Sequence, residues 1–170
     1  MRTLSPADVD IRVFTFKEGL LSTVAHDLQI KVNRFEIVVD PVTCAVRARI
    51  EAGSLEVVCA MKDGREDPGT LSASNKADIQ DNIRKDVLNS AKFISIVFES
   101  TSVSDTAVTG KLTLHGVTRE IRLAVRQEGA RRVGEVRLDQ REFGIKPYSA
   151  LLGALKIQPE VLVRISLPVQ

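Results

Sequence analysis

Residues 119–126 read Arg-Glu-Ile-Arg-Leu-Ala-Val-Arg. Ile121, Leu123 and Val125 alternate with Glu120, Arg122, Ala124 and Arg126. A period of two is the signature of a strand with one dry and one wet face. Just upstream, residues 107–115 place Leu112 and Leu114 on one face, and His115-Gly116-Val117-Thr118 reads as a hairpin turn between the two stretches. The pattern extends in both directions. Downstream, Val136 and Leu138 oppose Glu135, Arg137 and Asp139 within 132–139, and Val161, Val163, Ile165 and Leu167 oppose Arg164 and Ser166 within 160–168. Upstream, Ile94, Ile96 and Phe98 alternate within 93–103. His26, Leu28, Ile30 and Val32 oppose Asp27, Gln29 and Lys31. Residues 11–17, 34–39, 44–50 and 53–59 complete the set of expected strands.

Two segments break the period. Residues 62–74 carry Asp63-Gly64 and Asp67-Pro68-Gly69, which read as a loop. Over about 75–89, Ile79, Ile83 and Val87 recur every four residues with Leu88 beside them, the stripe of a single α-helix capped by Ser74 or Asn75. Short adjacent strands joined by turns favour antiparallel pairing. The expected fold is therefore mainly β: one domain spanning 1–170, an antiparallel β-barrel of about eight strands with one helix. A barrel of about eight strands can be filled by side chains or can enclose one small ligand.

Composition narrows the function. The chain has 24 Lys+Arg against 22 Asp+Glu, a formal net charge of +2, too weak a field to argue for nucleic acid. With six Phe, one Tyr and no Trp, it has few aromatics to spare for a platform that stacks on single strands. No apolar run of 18 residues occurs, so stable membrane insertion is not expected, and the first residues have no apolar signal core, so a cytoplasmic protein is expected. Cys44 and Cys59 read as buried thiols, and with His26 and His115 they have no zinc-site spacing, so no metal is expected.

The search for catalysis returns little. His26 and Asp27 are neighbours on a strand and point to opposite faces. His115 sits in a turn, and Ser22-Thr23, Ser72 and Ser74 lie in polar stretches with no base identified beside them. There is no Gly-rich phosphate loop or nucleophile elbow. No catalytic residue and no cofactor are expected. The apolar stretch 143–157, interrupted by Gly144, Pro147 and Gly153, reads either as a loop under the core or as a flap at a barrel mouth. In the second case Tyr148 offers a ring with a polar tip, and Lys146 and Lys156 could meet a polar headgroup.

Four segments, in order, resemble one family. They are Val24-Ala25-His26-Asp27-Leu28, the passage from Asn82 to Ser100, the segment Val108–Arg119 with Gly110-Lys111-Leu112-Thr113-Leu114-His115-Gly116-Val117-Thr118, and Arg141-Glu142-Phe143-Gly144-Ile145. They are similar to the YceI-like, polyisoprenoid-binding proteins of bacteria, over roughly residues 8–168. Lys146-Pro147-Tyr148 departs from the usual late loop. The resemblance implies a lipocalin-like barrel around an isoprenoid or similar amphiphile, often in a homodimer. The expected ligand is an isoprenoid, quinone-like or fatty amphiphile. The expected wall residues are Leu28, Ile30, Ile96, Phe98, Leu112, Leu114, Leu123 and Val163, with Phe143, Tyr148 and Leu152 nearer the mouth. The competing readings are a filled barrel acting through its surface or dimer interface, and a lipid enzyme using His26 or His115.

Overall fold

The computed structural model describes residues 1–19 and 25–169; Ser22, Thr23 and Val24 lie outside the described residues. Twelve strands form one antiparallel sheet. They are β1 (Arg2–Leu4), β2 (Asp10–Thr15), β3 (Asp27–Val32), β4 (Phe35–Val39), β5 (Val46–Glu51), β6 (Leu55–Lys62), β7 (Arg65–Asp67), β8 (Ser95–Val103), β9 (Ala107–Leu114), β10 (Val117–Glu128), β11 (Arg131–Asp139) and, last in the chain, β14 (Glu160–Pro168). A separate two-stranded hairpin is made by β12 (Ser149–Ala150) and β13 (Leu155–Lys156).

The sheet runs β1-β4-β5-β8-β9-β10-β11-β14-β2-β3-β6-β7. This series is open at both ends, yet chain continuity joins its two halves. β3 passes into β4 through Asn33-Arg34, and β5 passes into β6 through a turn at Ala52–Ser54. β4 pairs with β5, and β3 pairs with β6. Two long bent strands thus lie side by side and turn the same corner. Hydrogen bonds tie that corner together: Asn33 N–H donates to Ser54 C=O at 3.1 Å, Glu51 N–H to Arg34 C=O at 3.0 Å, and Arg34 N–H to the buried Ser54 hydroxyl at 3.1 Å. Taking each bent pair as one stave and setting aside the short β1 and β7 leaves eight staves around a curled sheet. The expectation of about eight strands and the twelve observed segments describe the same object.

The helix differs from its sequence expectation in its start and its end. It begins at Ala73, and Ser72 is the cap. The Ser72 hydroxyl accepts from Asn75 N–H at 3.0 Å while the Asn75 side chain accepts from Ser72 N–H at 3.2 Å, a reciprocal box that outcompetes a cap at Ser74. After α1 (Ala73–Asn82) the chain widens into a π-turn over Ile83–Val87, where Leu88 N–H donates to Ile83 C=O at 2.8 Å. The extra residue per turn resets the apolar stripe. Both segments pack their apolar side chains on the sheet: Ile79 and Ile83 meet Leu28, Ile30 and Val57. The helix also covers a free strand edge, because Val57 N–H on β6 donates to Gln80 Oε1 at 2.9 Å. A side-chain amide there replaces the ladder partner that β6 lacks.

Three further expectations change. The 62–74 stretch contains β7, paired with β6 across the Asp63-Gly64 turn. The N-terminal residues supply β1, paired with β4. Cys44 is exposed, with φ of 61° in the β4–β5 turn, while Cys59 is buried. The Asp40 carboxylate, which accepts from Val42 and Thr43 N–H at 2.8 and 3.0 Å, holds that turn open until β5 starts at Val46.

Candidate functional site: a through-barrel cavity

The inward faces of the staves do not meet. They enclose a cavity of about 920 Å³ running the length of the sheet, at the upper end of the ~300–1,000 Å³ typical of small-molecule sites. Aliphatic side chains dominate its wall, and among the described residues Phe98 is the only phenylalanine on it. Of the expected wall residues, Leu28, Ile30, Ile96, Phe98, Leu112, Leu114, Leu123 and Val163 line the cavity, as does Tyr148. Phe143 and Leu152 do not. Phe143 is 1% exposed, packed in the core behind the wall, and Leu152 is fully exposed on a turn. Both belong to an irregular apolar stretch, where no period fixes which way a side chain points.

Small residues set the width of the cavity. Gly110 on β9 faces Phe98 on β8, and a Cβ there would stand 2.5 Å from the Phe98 ring and closer still to the Glu99 carbonyl oxygen. Phe98 therefore lies over its neighbouring strand instead of filling the lumen. Gly134 on β11 is less constrained: an added Cβ would meet Leu123 Cδ2 at 3.5 Å, an ordinary contact.

The two ends of the cavity differ. At the turn end, the β4–β5, β8–β9 and β10–β11 turns bring Thr43, Cys44, Ser104, Asp105 and Arg132 to the rim, with Arg132 and Asp105 paired at 3.6 Å. At the helix end, Asn82, Ile83 and Val87 close one side. The long connection between β11 and β14 closes the other, contributing Gln140, Ile145, Tyr148, Leu155 and Ile157. Gln140 is buried and its side chain donates to Gln158 C=O at 3.1 Å, pinning the start of this connection to its end. Gln158 N–H donates to Phe16 C=O at 2.7 Å and Glu18 N–H donates to Lys156 C=O at 2.9 Å, so the end of this connection is tied to the residues that follow β2.

Polar groups inside the lumen are few. His26 lines it near the helix end, in line with Leu28 and Ile30. Thr15, the last residue of β2, lines it beside Leu28. The Thr15 hydroxyl oxygen is buried and has no hydrogen-bond partner among the described residues. A buried hydroxyl left without a partner costs roughly 1–3 kcal/mol, so this atom is a natural contact for a polar group brought in by a ligand. Sequence reasoning missed it, because a threonine at a strand end has no distinguishing signal.

The other chemistry-bearing residues have structural partners. The His115 ring lies 4.4 Å from that of Phe93, in a two-residue turn with φ of 54° at His115 and 75° at Gly116. The Arg141–Ile145 segment is a 3₁₀ turn stopped by left-handed Gly144 (φ 69°), and Arg119 Nε donates to Glu142 C=O at 3.1 Å. Two sequence signatures are thus packed against each other as a brace, aiming Ile145 into the lumen. Burial raises the Cys59 thiol pKa, helped by the nearby Glu66 charge, which keeps that thiol protonated and unreactive. Among the described residues, no three His, Cys, Asp or Glu converge on a common point to hold a metal. Among the same residues, no helix is long and apolar enough to cross a membrane.

An aliphatic lumen inside a curled antiparallel sheet, braced by these signatures, agrees with the comparison to known proteins. Residues 4–169 match the YceI-like domain. The chain belongs to the YceI-like family. No curated protein matches it. Among solved structures, BcnA from Burkholderia cenocepacia is 16% identical, with TM-score 0.62 over 95% of this chain and 96% of that one. A polyisoprenoid-binding domain from Saccharophagus degradans, implicated in plant cell wall breakdown, is 13% identical, with TM-score 0.59 over 94% of this chain and 91% of that one. The Campylobacter jejuni YceI protein is 14% identical, with TM-score 0.54 over 91% and 88%. At these identities the likeness establishes the fold this YceI-like chain shares with them.

Proposed function

We propose that this YceI-like protein binds and carries an isoprenoid, quinone-like or fatty amphiphile in its lumen. The observation that carries the reading is the cavity itself: about 920 Å³, walled by aliphatic side chains. The driving force is desolvation, about 0.8 kcal/mol for each buried CH₂, offset by the cost of ordering a flexible chain. A lumen with so few hydrogen-bonding groups selects for chain length and width more than for functional groups. The unpartnered Thr15 hydroxyl, with His26 and Tyr148 at the same end, supports a ligand whose one polar group rests near the helix end. The polyisoprenoid-binding description of the Saccharophagus relative favours an isoprenoid among these ligands.

The test is uptake of geranylgeraniol and of cis-parinaric acid by delipidated protein, followed by fluorescence and competition. Saturable binding at one equivalent supports the reading. Absence of uptake of both compounds, by a protein that is folded and free of lipid, refutes it.

A further inference from the structure

The β12–β13 hairpin ends in an unusual tip. Leu151 and Leu152 are consecutive, 64% and 109% exposed, and both adopt left-handed backbone conformations, with φ of 54° and 56°. The strand pairs Ser149–Lys156 and Ala150–Leu155 hold the tip outward. Nothing in the fold requires apolar side chains there, and glycine or asparagine would adopt the same backbone more readily. The nine residues from Pro147 to Leu155 carry no charge, while Lys146 and Lys156 bracket them. The Lys156 side chain lies along Gly153, its Cε 3.4 Å from where a Cβ would stand, and Lys17 is bridged to Ile157 at the hairpin base. Of the nearby acids, Asp139 pairs with Arg141 and Glu160 with Arg137, and the Asp27 carboxylate accepts from the Lys17 backbone N–H at 2.8 Å, while Glu18 and Glu142 act on Arg141.

The hairpin that carries this tip also builds the mouth of the cavity, through Tyr148, Leu155 and Ile157. Among the described residues, the opposite end has no such feature. Its exposed apolar side chains, Met1, Val42 and Val103, come from three separate segments and not from one hairpin tip, and the Asp40 carboxylate and exposed Asp105 stand among them.

We propose that the hairpin tip is a docking finger for an anionic phospholipid bilayer, and that the cavity fills and empties through the helix end while the protein is seated there. Leu151 and Leu152 enter the acyl boundary, and Lys17, Lys146 and Lys156 meet lipid phosphates. An apolar tip with a basic collar is the local form of the arrangement that holds amphipathic segments in a membrane interface. Seating the mouth at the acyl level spares an apolar ligand passage through water. The role in transfer rests on the carrier reading above; the vesicle contact does not.

The test uses the full chain and vesicles of phosphatidylcholine with phosphatidylglycerol, compared with phosphatidylcholine alone. The protein contains no Trp, so Leu152→Trp supplies a single reporter. Its emission should shift to the blue with anionic vesicles and little with neutral ones. Leu151→Ser/Leu152→Ser should abolish co-sedimentation and slow transfer of cis-parinaric acid from vesicles by about tenfold or more. Uptake of the same probe from a dilute ethanolic dispersion should be unchanged. Equal sedimentation and transfer rates for wild type and double variant, or a Leu152→Trp emission insensitive to vesicles, would overturn the docking finger. If wild type takes up no probe from either source, the carrier reading fails, and sedimentation alone still decides whether the tip binds membranes.

Discussion

The two ends of the lumen are built from the same strands by different means. At the turn end, chain reversals are short and satisfied locally. Asp40 accepts from the N–H groups of its own turn, and the Ser104 hydroxyl accepts from Ala107 N–H at 3.1 Å. At the helix end, the chain spends α1, its π-turn and the long β11–β14 connection, and places its least regular and most apolar segments there. Tight turns fix the register of a sheet but leave no material to shape an opening. The longer connections add little to the sheet and form a mouth instead. The long connections are concentrated at one end of the lumen.

The strongest way to break this contrast is to block the lumen that both ends share. Leu114→Trp and Leu123→Trp place an indole in the cavity from β9 and β10. Each should lower affinity for geranylgeraniol by about 100-fold, because the indole takes volume from the ligand chain and every CH₂ pushed back into water costs ~0.8 kcal/mol. Circular dichroism should show the sheet intact. Uptake at wild-type affinity by both soluble variants would mean that the ligand lies elsewhere. Next in size, Gly110→Ala should push both the Glu99 carbonyl and the Phe98 ring off β9, at a stability cost of about 1–3 kcal/mol for overpacking, read as a lower denaturation midpoint together with weakened binding. An unchanged midpoint would show that Phe98 does not depend on the glycine.

Thr15→Val sharpens the contrast at the helix end. It removes a buried hydroxyl that lacks a partner and keeps the shape, so the ligand-free protein should gain about 1 kcal/mol or slightly more. Affinity should fall for an alcohol such as geranylgeraniol and stay constant for a hydrocarbon of the same length. Equal effects on both ligands would remove Thr15 from the polar contact. The smallest effect concerns pH. Arg126 beside Glu135, Arg141 beside Asp139, Arg84 beside Asp81, and the turn amides at Asp40 all hold these carboxyls below their usual range. A lowered folded pKa adds stability that is fully present above the unfolded value and is lost as pH falls through the folded one. The melting temperature should therefore be flat from neutrality to about pH 5 and decline below about pH 4. Because these groups are largely solvated, the decline should be shallow and weaken further in salt.

The sheet was legible in the sequence because a strand with one dry face writes its period into the chain. β8 through β11 and β14 each fall where alternation places them, and the inward residues of those strands line the cavity. The corner was not legible. Asn33-Arg34 and Ala52–Ser54 look like ordinary breaks between strands, and only pairing across them shows two bent staves. β1 and β7 are too short to carry a period. Cys44 follows the alternation of β5 on paper, but the Asp40 turn displaces it into a left-handed position outside the strand. Phe143 and Leu152 fail for a related reason. Their directions are set by a 3₁₀ turn and a strained hairpin, where hydrophobicity says that a residue is apolar and nothing about where it points.

Native mass spectrometry of freshly purified wild-type protein and Leu123→Trp, with organic extraction of both, bears most directly on the lumen as a lipid site. Wild type should carry one equivalent of an extractable isoprenoid or other amphiphile, and Leu123→Trp should be empty. A wild type that stays empty after incubation with host lipid extract, or a variant that retains the full equivalent, would contradict it.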